Sequence, residues 1–194
     1  MNQPEDQYYI DATINGDTKA FTVLIDRYKH MVFTLALKIL KNREEAEEVS
    51  QDVFVKVYQV LVSFKGDSKF STWIYKIAYY RSLDYLKKQK RGLSASSLDS
   101  DKEYHLPSIE NNLDALELKE RKQAIKSAID ELPTDDAVVI TLHYFEELSL
   151  KEIAKIIGVE ANTVKVRLFR SRKRLAQLLK NRLEPDFFEN YGRK

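Results

Sequence analysis

The sequence predicts an all-α protein: two small helical domains joined by a flexible acidic linker, the second containing a helix-turn-helix. Three observations predict this. Apolar residues recur at helical spacing along most of the chain, which has only five glycines and four prolines in 194 residues and no long strand-type alternation. Charge is polarised: Lys76 to Arg91 holds six basic residues against one acid, Asp84, whereas Gly92 to Glu117 holds six acids against one base, Lys102. Ala161 to Arg182 then carries eight basic residues and no acid, so the net charge of +2 conceals strongly basic segments.

Residues 1–16 are polar and acidic, unlike a signal peptide, and are read as an N-terminal extension. The first domain spans 17–91. From Asp17 to Leu40, the residues Phe21, Leu24, Ile25, Tyr28, Val32, Leu35, Ala36 and Ile39 keep a helical period. Asn42 with Glu45 caps a second helix, expected to run through Phe64, whose apolar stripe is Ala46, Val49, Val53, Val57 and Leu61. These two helices suit an antiparallel hairpin. Glu48, Gln51 and Asp52 fall on its other faces, a pattern that fits a solvated surface or a partner site. Gly66, Asp67 and Ser68 then signal a loop, and a third helix should begin near Ser71 or Thr72. On it Trp73, Lys76, Tyr80 and Lys87 share one side, Ile74, Ile77, Ala78 and Tyr85 another, with Tyr75 and Tyr79 between. Such rings fit a core, but rings interleaved with cations also fit a single-strand surface, where bases stack and phosphates are neutralised.

Residues 92–117, rich in Ser, Asp and Asn, read as the linker, 118–182 as the second domain and 183–194 as a tail. Ser149 and Glu152 have capping-box spacing, Leu148 and Ile153 suit a hydrophobic staple, and Gly158 supplies the turn that ends a short helix. The basic helix follows. Val164, Leu168, Ser171, Leu175, Leu178 and Leu179 form its inner stripe, opposite Asn162, Val166, Phe169, Arg170 and Lys173. Lys165 and Arg172 flank that outer ridge on one edge, Arg167 and Arg174 on the other. An αα-corner in a helical core is the plain alternative. A polar and aromatic ridge between two rows of cations instead suits a recognition helix in the major groove.

Other classes find little support. Zero cysteines rules out a disulfide scaffold and suits the cytoplasm. No apolar run is long enough for membrane insertion. His30, His105 and His143 lack zinc-site spacing, no phosphate-binding or dinucleotide glycine motif occurs, and no nucleophile is paired with a base. The expectation is a non-enzyme with no metal and no cofactor.

The segments AEEVSQDVFVKVYQ, FKGDSKFSTWIYKIAYYRSLDYLKKQKR and ELPTDDAVVITLHYFEELSLKEIAKIIGVEANTVKVRLFRSRKRL, in that order, resemble RNA polymerase sigma factors of the extracytoplasmic-function (ECF) type. The resemblance spans about Asp17 to Leu179 and implies two partners, core RNA polymerase and promoter DNA, both duplex and single-stranded. It implies that Glu48, Gln51, Asp52 and Lys56 dock on the clamp helices of the largest subunit, while the second domain meets the flap. It places −10 recognition and melting on Lys65, Asp67, Ser68, Lys69, Trp73, Lys76, Tyr79, Tyr80 and Lys87. The −35 element would be read by Asn162, Thr163, Lys165, Val166, Arg167, Phe169, Arg170 and Lys173. An anti-sigma factor is a further implied partner. So is passage of the linker acids Asp99, Asp101, Glu103, Glu110 and Asp114 through the polymerase interior, the alternative being a solvated tether.

This chain departs from the family pattern at three positions: Tyr80 in place of a frequent Asn, Val166 in place of a small polar residue, and Glu160 where Ser or Thr is the usual cap. All three bear on promoter sequence. The competing readings are a stand-alone helix-turn-helix repressor or activator, with a palindromic operator, and a helical adaptor with an incidental cationic helix.

Overall fold

A computed structural model describes residues 5–92 and 113–180, and every element among them is helical. Helix α1 (Asp6–Ile14) is short. Helix α2 (Thr18–Leu40) starts where the Asp17 carboxylate accepts the backbone N–H groups of Lys19 at 2.9 Å and Ala20 at 3.3 Å. It stops at Lys41, which takes the left-handed conformation at φ 57°. Helix α3 (Arg43–Val60) is capped by Asn42, whose side chain accepts Glu45 N–H at 3.2 Å. It gives way to a 3₁₀ turn, Leu61–Ser63, short of the expected end at Phe64. Helix α4 (Phe70–Gly92) begins one residue earlier than expected, because Phe70 itself is drawn under the helix against Tyr28, Phe64 and Trp73.

Helices α2, α3 and α4 pack against one another, and α1 lies on α2. Ala36, Ala46 and Ala78 are fully buried and let the backbones approach closely, while Leu24, Val32, Leu35, Val53 and Ile74 fill the seam. Each large side chain of this kind contributes roughly 1.5–3 kcal/mol through removal from water. The segment expected as an extension belongs to this layer: Ile10 of α1 joins the core, and Asp6 accepts a hydrogen bond from Tyr28 Oη and one of 2.9 Å from Arg27.

The second half comprises α5 (Leu113–Asp130), α6 (Thr134–Tyr144), α7 (Leu150–Ile157) and α8 (Ala161–Lys180). Since α5 starts at Leu113, the acids Asp114 and Glu117 lie on a helix and not in the linker where composition placed them. Helix α6 is apolar on several sides because several helices cover it: α2, α5, α7 and α8 all pack on it. The two halves also touch directly. Helix α4 packs on α7 and α2 on α6, so the buried residues of both halves form one continuous apolar cluster.

Candidate nucleic-acid interface

The helix-turn-helix is built as its residues dictate. Ser149 Oγ accepts Glu152 N–H at 3.3 Å and Glu152 Oε2 accepts Ser149 N–H at 2.9 Å, completing the capping box. Leu148 and Ile153 are both buried beneath it. Gly158 adopts φ 74°, closes α7 and releases the chain into α8. On α8, Val164, Leu168 and Ser171 are buried, with Leu175, Leu178 and Leu179 partly so. The opposite ridge is open: Val166 is 44% and Phe169 58% exposed, and Asn162, Thr163, Lys165, Arg170 and Lys173 are exposed around them. The Lys173 ammonium lies 4.7 Å from the Phe169 ring centroid, a cation–π contact on the exposed ridge.

The two flanking rows of cations are not equivalent. Arg167 pairs with Asp135 at 2.9 Å, and Arg174 pairs with the buried Asp136. Both acids stand in the first turn of α6, where the helix dipole also favours them. The Arg167–Arg174 row therefore ties α8 to α6, and Lys165, Arg170, Arg172 and Lys173 are the cations offered outward.

On α3, Glu48, Gln51 and Asp52 are exposed and Lys56 half-buried, so the four remain together on one accessible surface. Glu48 accepts a hydrogen bond of 3.3 Å from Tyr85 Oη, which braces this surface against α4. One turn beyond Asp52, Val55 is 57% exposed, and Tyr58 and Val62 are exposed further along. Periodicity had assigned that continuation no role.

On α4 and its preceding loop the candidates divide. Lys65, Asp67, Lys69, Lys76, Tyr80 and Lys87 are exposed, Ser68 and Trp73 half-buried. Trp73 stacks on Phe70 with centroids 5.7 Å apart and meets Phe64 at 5.4 Å, so one face of the indole belongs to the core. Tyr79 is buried, as is Tyr75, and burial is the largest cause pushing both phenols above their ordinary pKa. Lys87 pairs with Asp84 at 3.6 Å. The sequence left Tyr75 and Tyr79 between two faces, and the second half of the molecule claims them both for the interior.

Sequence reasoning missed a cleft of about 510 Å³ beside this loop, lined by Asp6, Arg27, Tyr28, Phe64, Ser68 and Phe70, with Lys69 at its edge. Burial and the Asp6 hydrogen bond hold the Tyr28 phenol well above its usual pKa, so it stays protonated. Nothing local in the sequence joins Asp6 to a loop some sixty residues later. His143 Nδ1 lies 3.0 Å from the Leu148 carbonyl oxygen, and no grouping of metal-ligating side chains occurs among the described residues. His105 and the linker acids Asp99, Asp101, Glu103 and Glu110 lie outside the described residues, as does the tail from 181. No described helix is long and apolar enough to cross a membrane.

Comparison with known proteins places this geometry. Residues 24–92 match sigma-70 region 2, and residues 122–175 match sigma-70, region 4. The RNA polymerase sigma-H factor of Pseudomonas aeruginosa is 30% identical over 185 residues, covering 92% of this chain and 96% of that protein. The ECF RNA polymerase sigma-E factor of Escherichia coli K12 is 33% identical over 189 residues, covering 94% and 96%. Among solved structures, the sigma factor RpoE of Bartonella quintana, in complex with the anti-sigma factor NepR, superposes with a TM-score of 0.71 at 24% identity. It covers 86% of this chain and all of that one. CnrH, in complex with the cytosolic domain of CnrY, gives 0.65 at 22% identity over 92% and 99%. These two structures share the all-helical fold.

Proposed function

This chain belongs to the ECF sigma factors of RNA polymerase, and from that membership we propose how its surfaces divide the work. The factor directs promoter-specific transcription initiation with core RNA polymerase, and sigma factors as a class are non-enzymatic. We assign docking on the largest-subunit clamp helices to Glu48, Gln51, Asp52 and Lys56 on α3, and a flap contact to the α5–α8 half. We assign the −35 duplex to the α8 ridge of Asn162, Thr163, Lys165, Val166, Phe169, Arg170 and Lys173. Arg167 positions that ridge through Asp135. The apolar Val166 suits a thymine methyl.

The −10 strand falls to Lys65, Asp67, Ser68, Lys69, Lys76 and Tyr80, with the half-buried Trp73 stacking on what the loop admits. The cleft between α1 and the loop is large enough for an extruded base, whose unstacking costs a few kcal/mol that ring stacking and loop contacts offset. A soluble anti-sigma partner or a membrane-bound one with a cytoplasmic domain would regulate it, and its place of work is the cytoplasm, with the polymerase.

The observation that carries this reading against a stand-alone repressor is the combination of an open α8 ridge with a separate acidic, exposed surface on α3. Run-off transcription on promoter fragments tests it. New transcripts should appear only with core polymerase and this chain together, and fall more than about a hundredfold for the triple variant Glu48→Ala, Gln51→Ala, Asp52→Ala. That is the effect of losing about 3 kcal/mol of docking energy. Tight binding to a palindromic duplex without polymerase, and no transcripts with it, would favour the repressor.

A further inference from the structure

The outward ridge of α8 has a row of cations on each side, and acids hold only one of the rows. Lys165 and Arg172 stand exposed along one edge. Along the other, Arg167 pairs with Asp135 at 2.9 Å and Arg174 with Asp136. The two acids are chain neighbours in the first turn of α6, yet their arginines lie seven residues apart on α8. Seven residues are two turns, about 10 Å along the helix axis. Between the arginines, Ser171 is fully buried on the inner stripe, and its hydroxyl donates back to the Arg167 carbonyl at 2.9 Å.

The two pairs differ in strength. Asp135 is largely exposed, so its pair with Arg167 is open to solvent and salt. Asp136 is buried, and a buried carboxylate is tolerated only with a partner, so it holds Arg174 more firmly. One such contact would leave α8 free to roll about its axis or tilt against α6. Two, set two turns apart, fix both motions.

From this arrangement we propose that Asp135 and Asp136 are positioning residues that set sequence discrimination. They withhold Arg167 and Arg174 from DNA phosphates and hold α8 at the angle at which its ridge meets base edges. A phosphate contact carries no sequence information, and its energy is gained on any duplex. Released arginines would reach the backbone on their side of the groove, as Lys165 and Arg172 can on the other. Helix α8 would then settle on any sequence, with its ridge less well aimed. The acids forgo that general affinity and keep binding dependent on Asn162, Val166, Phe169 and Arg170. The gain in discrimination rests on the −35 assignment above; the withholding of two cations from duplex DNA does not.

Fluorescence anisotropy on the full chain across a salt series tests this. The probes are a duplex spanning the −35 region of a promoter that gives run-off transcripts, and the same duplex with that region scrambled. The double variant Asp135→Asn, Asp136→Asn should bind the scrambled duplex more tightly. Its log–log salt slope should steepen by about 1.8, at about 0.9 for each phosphate newly neutralised. Preference for the −35 duplex should fall about tenfold, roughly the worth of one base pair in a site. Asp135→Asn alone, at an exposed position that does not threaten the fold, should steepen the slope by about 0.9. A matched control, Asp26→Asn with Glu47→Gln, releases Lys29 and Arg43 far along the chain from α8 and should leave slope and preference unchanged. A lowered melting temperature with slope and preference unmoved would make the pairs merely structural and overturn the proposal. So would a control that shifts as far as the double variant. Equal affinity of the unsubstituted chain for both duplexes sinks the −35 assignment, and the slope then still decides whether the acids withhold the arginines.

Discussion

Helix α4 interleaves several rings with cations, α8 sets the single ring Phe169 among its cations, and the fold treats the two differently. On α8 the outward ridge is free, with Phe169 at 58% exposed and no other helix over it. On α4 the neighbouring half takes Tyr75 and Tyr79 inside, and α7 rests on what is left. The difference suits the work proposed for each helix. A recognition helix reads duplex that is already formed, and can stand open. Under the role proposed for α4, its aromatic side chains have no ligand until strands separate, and an exposed ring cluster would bury itself wherever it could.

The comparison can be broken most severely at its shared support. Ile153, fully buried in α7, belongs to the apolar cluster that the helix-turn-helix shares with α4. Ile153→Ala should cost about 2–5 kcal/mol in chemical denaturation. If stability falls and the α4 face is no more accessible to hydrogen exchange, α7 does not cover it. Next in size is the contrast between two arginines on α8. Arg170→Ala, on the open ridge, should lose about 1–3 kcal/mol of promoter affinity by fluorescence anisotropy, with discrimination relaxed at one base position. Arg167→Ala should lose less than half of that and instead lower the melting temperature, since its partner is Asp135. Equal effects would mean that the Arg167 row also reaches DNA.

A smaller effect sharpens the same contrast. Affinity for −35 duplex should fall with log salt at about −0.9 per phosphate neutralised, and Lys173→Ala should reduce the slope by about one. Smallest is a titration. Hydrogen bonds from the Ser149 side chain and backbone, then Lys69, lower Glu152 to about 2. A depressed carboxylate stabilises the folded state fully above its unfolded value and loses that contribution as pH falls through its folded value. The capping box should thus be indifferent between pH 5 and 8 and weaken only below, with Glu152 titrating near 2 by carboxyl NMR. Lys69→Met should raise that midpoint slightly. No change would mean that the Lys69 pair is absent in solution.

The helix-turn-helix was legible because its signals are local: Ser149, Glu152, Gly158 and the inner stripe of α8 each act within a turn or two. The caps at Asp17 and Asn42 were legible for the same reason. The docking role proposed for α3 comes only from resemblance, since Glu48, Gln51 and Asp52 look like any solvated face. What escaped depends on distant partners. The pairing of Arg167 with Asp135 escaped because that acid lies thirty-two residues earlier on another helix. The N-terminal segment was read as an extension because Asp6 finds Arg27 and Tyr28 only once α1 has docked. The packing of α7 on α4 has no local signature at all, because apolar side chains from both halves, an ion pair and one glycine contact make it only once the two meet.

Permanganate reactivity of promoter thymines tests the central claim most directly, with the chain alone, core polymerase alone and the two together. The account predicts reactive thymines at the −10 element only with both, and none once Trp73→Ala removes the stacking ring, while the chain alone shields the −35 duplex at low salt. Reactive thymines with the chain alone, or none with both despite specific transcripts elsewhere, would contradict it.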